Sequence, residues 1–318
     1  MKTPAAALTP PGSDPHLEVA HPAVALAVGD AQRRTVGAFV ELTKPRVVAM
    51  VLVTTLVGFY LGSSTRPDWL LLAATLVGTG VAAGGTLALN QYLERDADRR
   101  MRRTQRRPLP SGRLLPVDAL LFGAALTAVG LLVLTVFVNP LSGMVTATTV
   151  VTYLGCYTPM KRRSPLCGVV GAVPGALPPV TGWAAAAGSL GAGAWSLFAI
   201  LFLWQLPHSL AIARLYAEDY ARAGFRLLPI VDRDGHVTER QIVINSIALL
   251  AVSLTPTLLG LAGRLYFAVA LVLGLGFLAF AAASAVRPST AAARHVMIAS
   301  LIYLPLLLVC MAWDKVAA

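Results

Sequence analysis

Asn90-Gln-Tyr-Leu-Glu94-Arg-Asp96-Ala-Asp98-Arg-Arg-Met-Arg-Arg-Thr104-Gln-Arg-Arg107-Pro108 ends an apolar run that starts near residue 70. The run is long enough to cross a membrane, so the stretch marks where a buried helix meets water. Asn90, Glu94 and Asp98 are four residues apart and stack on one helical face, with Asp96 on the opposite one. Oxygen-bearing side chains on one face suit Mg2+, which takes a few carboxylate or carbonyl oxygens together with phosphate oxygens and water. The arginines that follow, among them Arg103, Arg106, Arg107 and Arg113, offer planar forks to a polyphosphate. A simpler account also fits: a solvated helix end laced by ion pairs such as Asp98 with Arg102, and cations resting on anionic headgroups. Carboxylates that close a membrane helix are costly, and that cost favours a functional site.

The composition around this stretch sets the class. The 318 residues are 56% hydrophobic and 13% charged, and the mean hydropathy is +0.70. These values exclude an ordinary soluble domain and indicate an all-α, polytopic membrane protein. The net charge of +11 has the look of a nucleic-acid signal. The cations sit in short gaps between apolar runs, however, where they anchor helix ends, so no nucleic-acid partner is expected. Nine stretches reach or approach the length of a span: roughly 46–63, 70–93, 118–138, 140–157, 168–188, 194–215, 241–262, 265–286 and 295–313. Pro174, Pro178 and Pro179 interrupt the fifth, which a membrane helix tolerates when its neighbours satisfy the freed backbone groups. Gly80 and Gly84 have the spacing of small residues that let helices approach closely.

With the N-terminus inside, 23 of the 26 Lys and Arg residues fall on the inner side, leaving Arg66, Arg264 and Lys315 outside. This bias predicts an inward N-terminus and places the loops after the second, fourth and sixth spans on the cytoplasmic face. Residues 1–37 are rich in Ala and Pro and lack the apolar core of a signal peptide. They are expected as a disordered cytoplasmic tail before a transmembrane domain over 38–318. Cys156, Cys167 and Cys310 lack metal-ligand spacing and read as packing residues.

Two further segments carry polar groups to span ends. Tyr157-Thr-Pro-Met-Lys161-Arg162-Arg163 offers three consecutive cations that could close on the same phosphates. Alone, it is no more than a basic loop. Trp204-Gln-Leu-Pro207-His208 puts a histidine inside an apolar helix, where it serves equally as a packing residue or as a ligand or proton carrier facing a cavity.

Together these motifs resemble those of the UbiA superfamily of intramembrane prenyltransferases, and within it the heme-modifying branch. The resemblance is carried by Leu42-Thr43-Lys44-Pro45-Arg46, the Asn90–Asp98 segment, Arg103-Thr104 and Arg107-Pro108. It continues through Tyr157-Thr158 with Lys161-Arg162, Gly175-Ala-Leu-Pro178-Pro179 with Gly182-Trp183, Trp204-Gln-x-Pro207-His208, and Asp219-Tyr220 with Ala223-Gly224. The Trp-Gln-x-Pro-His and Asp-Tyr-x-x-Ala-Gly segments separate the heme branch from the quinone branch. The resemblance implies a helical bundle around a central cavity in a bacterial plasma membrane, with Mg2+ at the cavity mouth. Farnesyl diphosphate would be the donor and heme B the acceptor, and water addition would give heme O. It implies metal-binding catalytic roles for Asn90, Glu94, Asp98 and Asp219, and diphosphate contacts for Arg103, Arg107, Lys161 and Arg162. His208, Trp204 and Tyr220 would meet the heme. Membrane lipid surrounds such a protein, and a heme A synthase or terminal oxidase assembly would take its product.

The chain departs from the commonest form of the pattern at two places. Glu94 stands where the first motif usually has aspartate, and Asp219 lacks a second carboxylate four residues away, having Leu215 and Ala223 there. An aromatic prenyltransferase of quinone synthesis and a non-catalytic heme transporter remain as alternative readings. The clustering of acids and cations at one membrane face favours an enzyme.

Overall fold

The computed structural model describes residues 36–64 and 66–316. The expected N-terminal tail therefore lies almost entirely outside the described residues, and Ala38–Ala318 form one compact unit. Its long helices are α1 (Pro45–Gly62), α2 (Trp69–Asp98), α3 (Pro116–Val138), α4 (140–160), α5 (Cys167–Ala187), α6 (Ala192–Leu215), α7 (His236–Leu258), α8 (Arg264–Val286) and α9 (Thr290–Trp313). Apart from α4, these are the eight helices among the described residues that are long and apolar enough to cross a membrane. The expected span over 140–157 is present as α4, but a π-helical segment at Thr152–Tyr157 splits it into shorter regular pieces.

Local chemistry sets the helix starts. Proline occupies the first turn of α1, α3 and α4, where a missing N–H costs nothing. Asp68 caps α2 by accepting from the Leu70 and Leu71 amides at 2.9 and 3.1 Å. Asn139 turns the chain between α3 and α4. Its Oδ1 accepts from Ser142 N at 2.8 Å, and its amide donates to Ala184 O at 2.9 Å, tying this turn to α5.

Packing between helices relies on missing side chains. A Cβ on Gly130 would fall on the backbone of Ala82, and one on Gly85 would meet Thr127 and the Gly123 carbonyl, so α2 and α3 touch main chain to main chain. Gly80, facing Leu52 and Val48 of α1, and Gly84, facing Thr43 just before it, are the pair expected from spacing, and they make only ordinary or slightly tight contact. The close seam is made by Gly78, Ala82 and Gly85 instead, which lie on a different face of α2. α1 and α5 meet in the same way, Gly58 against the Pro179 carbonyl and Gly182 against the Thr55 carbonyl. The largest apolar core joins α5 through α9 around Leu197, Ile200, Tyr266, Tyr303 and Met311.

Pro178 and Pro179 have no N–H to give, and α5 breaks at Leu177 between its two halves. The broken helix, with α1, α2, α4 and α6, walls a cavity of about 260 Å3.

Overpacking the α1–α5 seam should cost stability. Gly182→Val is expected to destabilise by roughly 1–3 kcal/mol, read as a lower melting temperature in detergent. Gly276→Ala, whose added methyl would meet nothing within 4 Å, should leave that temperature nearly unchanged.

Candidate active site

The last two turns of α2 carry Asn90, Gln91, Glu94 and Asp98, all buried. Glu94 Oε1 accepts from Lys161 Nζ at 2.7 Å, and Asp98 Oδ2 accepts from Arg107 Nη1 at 2.7 Å. Both cations come from loops at the same end of the bundle. Lys161 also lies 4.4 Å above the Tyr157 ring and 5.7 Å from that of Phe225. Burial works against the Lys161 ammonium, but the neighbouring Tyr157 and the Glu94 carboxylate overcome it and hold its pKa above the ordinary lysine value. Asp98 Oδ1 is buried with no hydrogen-bond partner. In a site this dry, such an oxygen marks a place for an additional donor or cation.

Asn90 and Gln91 are oriented by their own contacts. The Asn90 amide donates to Thr158 Oγ1 at 3.1 Å, which in turn donates to the Tyr153 carbonyl at 2.8 Å. That carbonyl lies in the π-helical segment, where the regular ladder is interrupted. Gln91 Nε2 donates to Leu42 O at 2.8 Å, fastening α2 to the chain just before α1.

That fastening positions Lys44, which the sequence motif contains but which had no assigned role. Lys44 is the one non-glycine residue with positive φ among the described residues, at φ 50°. A left-handed lysine is strained by a kcal/mol or so and persists only where its surroundings enforce it. Burial, then the charges of Arg107 and Lys161, pull its pKa down to about 7, with Glu94 and Asp98 opposing. Lys44 thus shares the electrostatic field of both ion pairs.

The remaining expected residues divide. Asp219 is buried, and its Oδ1 accepts from Arg102 N at 3.2 Å and from the Arg222 guanidinium. Burial opposes its ionisation, but these donors win and hold its pKa below the usual carboxylate value. Asp219 therefore pins the α6–α7 loop to the α2–α3 loop. Among the described residues no three His, Cys, Asp or Glu side chains gather closely enough to hold a metal ion. Arg103 donates to Tyr220 Oη at 3.1 Å and lies 4.8 Å over the Tyr216 ring, fastening the same two loops. Arg162 is exposed and makes no ion pair or hydrogen bond among the described residues.

Trp204 and His208 are not brought to the cavity. Their rings stack at 4.8 Å, Trp204 Nε1 donates to Ser300 O at 2.8 Å, and His208 Nδ1 pairs with Ser300 Oγ at 2.7 Å. Both face α9. The helical period explains it: Gln205, one residue on, points about 100° away and lines the cavity instead.

The cavity lies directly below the charged rim. Tyr153 and Tyr157 form its upper wall, Val47, Val51, Ala82, Ala83 and Leu87 its apolar sides, and Thr79, Thr146 and Thr181 its floor. Thr146 and Thr181 hydroxyls pair at 3.2 Å. Eleven residues of α2 separate Asn90 from Thr79, a depth of about 16 Å at 1.5 Å per residue.

A helical membrane bundle with a rim of paired carboxylates and cations above a largely apolar slot is an architecture suited to lipid-group transfer. Residues 51–307 match the model of the UbiA prenyltransferase family, and the chain belongs to that family. It is a multi-pass membrane prenyltransferase. Among curated relatives, it is 50% identical to the "Protoheme IX farnesyltransferase" of Solibacter usitatus, an alignment covering 87% of this chain and 98% of that protein. It is 40% identical to the protein of the same name from Aquifex aeolicus, over 78% and 85% of the two chains. Among solved structures, that of a digeranylgeranylglyceryl phosphate synthase superposes with a TM-score of 0.75 at 17% identity, covering 88% of this chain and 98% of that one. A UbiA homologue from Archaeoglobus fulgidus, bound to GPP and Mg2+, gives 0.62 at 15% identity, covering 86% and 99%.

The Glu94–Lys161 pair makes a direct test of the rim. Lys161→Met should destabilise the protein by about 3 kcal/mol, because it leaves a buried carboxylate uncompensated. Adding Glu94→Leu should recover most of the melting temperature without restoring prenyl transfer, a coupling that a double-mutant cycle measures.

Proposed function

We propose that this chain transfers the farnesyl group of farnesyl diphosphate to a vinyl group of heme B, with water addition, giving heme O and diphosphate. The observation that carries the reading is the position of the charged rim. Two carboxylates and three cations meet at the mouth of an apolar slot about 16 Å deep along α2. Three isoprene units, at roughly 5 Å each from ordinary carbon–carbon bond lengths, fill that depth. The relatives named for protoheme IX farnesylation supply the acceptor and the C15 donor.

Asn90, Glu94 and Asp98 fit Mg2+, since they offer an amide carbonyl and two carboxylates with Asp98 Oδ1 unpartnered. Mg2+ held by these residues would supply positive charge that offsets the charge growing on the leaving diphosphate. Arg107 and Lys161 would exchange their carboxylate partners for phosphate oxygens, and Lys44 would become a full cation beside them. Such groups accelerate the reaction because they stabilise charge that grows as the C1–O bond breaks. Asp219 and Arg103 act one step removed, holding the α6–α7 loop over the rim, and Arg162 is a peripheral cation that reaches the anion only at long range. Tyr220, at the rim, is positioned to meet the acceptor's edge. Trp204 and His208 prop α6 against α9 and set the wall that the heme approaches. The tyrosine collar and the dry slot keep the allylic cation from early capture. The charge bias places the rim on the cytoplasmic side of a bacterial plasma membrane.

Purified protein with Mg2+, farnesyl diphosphate and heme B should yield heme O by mass spectrometry. Prenylation of 4-hydroxybenzoate with heme B untouched would overturn the assignment. Asp98→Asn should lower turnover by roughly 100-fold or more, the scale of losing one preorganised charge-stabilising group, with the amount of folded protein unchanged.

A further inference from the structure

The transfer leaves one reactant unaccounted for. Attack of the vinyl π pair on farnesyl C1 expels diphosphate and leaves a cation on the vinyl carbon next to the porphyrin. Heme O then requires a water at that carbon, inside a chamber that must otherwise stay dry.

Apart from Gln205, every side-chain acceptor lining the chamber is a hydroxyl, a weaker acceptor than an amide oxygen. Thr86 and Thr149 donate their hydroxyls to Ala82 O and Val145 O and keep only hydroxyl lone pairs, and Thr146 and Thr181 pair with each other. Thr79, whose hydroxyl has no partner among the described residues, lies on the floor, about 16 Å along α2 from Asn90. The Tyr153 and Tyr157 hydroxyls are donors as well as acceptors, and a donor would occupy the lone pair that a nucleophilic water needs.

Gln205 differs. Its Nε2 donates to Leu201 O at 3.0 Å and Ala172 O at 3.4 Å, so the amide's donor side is engaged with backbone. Among the described residues its Oε1 accepts no hydrogen bond, and it faces the chamber wall at Gly175, where any Cβ would overlap it. Gly175 lies one turn, about 6 Å, deeper in α5 than Gly171, and Gly171 packs against the Tyr157 ring beneath Lys161. The amide oxygen is therefore just below the level where C1 leaves the diphosphate.

We propose that Gln205 holds the water that captures the vinyl cation. This rests on the farnesyl-transfer reading above. The water donates one hydrogen to Oε1, which turns an oxygen lone pair toward the cation. The C–O bond forms from that lone pair, and the second proton leaves to the departed diphosphate. Gly175 is the space that lets the amide stand in the wall.

The test is the product. Without a held water, the cation loses a proton from the adjacent CH2 to diphosphate, and the product is an alkene lighter than heme O by one water. Gln205→Leu should still consume farnesyl diphosphate and heme B while shifting the product mainly to this anhydro form. Gly175→Ala, which displaces the amide, should shift it in the same direction. Gln205→Glu, which keeps an acceptor oxygen, should restore most of the hydrated product. Fully hydrated product from Gln205→Leu overturns the proposal. So does complete loss of transfer in a folded Gln205→Leu protein that still binds farnesyl diphosphate, since Gln205 would then act before capture. Absence of any farnesylated heme from the wild-type protein is a different result, and it sinks the parent reading instead.

Discussion

Two buried carboxylates at the end of a greasy helix must be neutralised, and the rest of the structure is arranged around that need. Ionised oxygens cannot be left bare in such surroundings, and an ion pair there compensates its desolvation only when the geometry is good. Lys161 and Arg107 supply that compensation from two different loops at 2.7 Å each. Bringing them in fixes the course of residues 99–113 and of the segment after α4. Lys44, placed by the Gln91–Leu42 bond, shares their field: burial first, and then the Arg107 and Lys161 charges, lower its pKa. In the proposed reaction Arg107 and Lys161, each now held by one carboxylate, would meet a more highly charged diphosphate.

The irregular backbone serves the same centre. The π-helical turn at Thr152–Tyr157 presents both tyrosines to the cavity and leaves the Tyr153 carbonyl for Thr158, which orients Asn90. The break at Leu177 falls within the stretch of α5, from Gly171 to Thr181, that lines the slot. Strictly regular helices packed through their glycines would close that space, because α1 and α5, like α2 and α3, already touch backbone to backbone. The departures from regularity keep the bundle hollow.

Much of this was legible from sequence for identifiable reasons. Apolar run lengths locate the spans well because a bilayer imposes them. The four-residue spacing of Asn90, Glu94 and Asp98 predicts a shared face, and all three are buried together. What sequence could not give depends on rotation and on partners. Gly80 and Gly84 have the right spacing for a tight seam, yet the helix presents Gly78, Ala82 and Gly85 to α3. Nor does sequence show that one oxygen of Asp219, expected as a metal ligand, accepts from the Arg102 amide and the Arg222 guanidinium. Lys44 was hidden because a lysine before a membrane helix already has a sufficient explanation as a topology anchor. Only a left-handed φ and the shared field reveal more.

In the Trp-Gln-Leu-Pro-His segment, neighbouring residues of one helix turn to different partners. Its two aromatic residues face away from the slot and bridge to Ser300 on α9, with one ring stacked on the other. Between them in sequence, Gln205 alone enters the cavity wall. A stacked pair hydrogen-bonded to a neighbouring helix fixes the rotation of α6 about its axis, and that rotation decides where the Gln205 amide points. An aromatic prenyl acceptor rearomatises by losing a proton and needs no water in the chamber, whereas a vinyl acceptor does. In the proposed reaction a vinyl acceptor asks this wall for a group that holds a water, and the Trp204–His208 pair on Ser300 would keep the Gln205 amide in register for it.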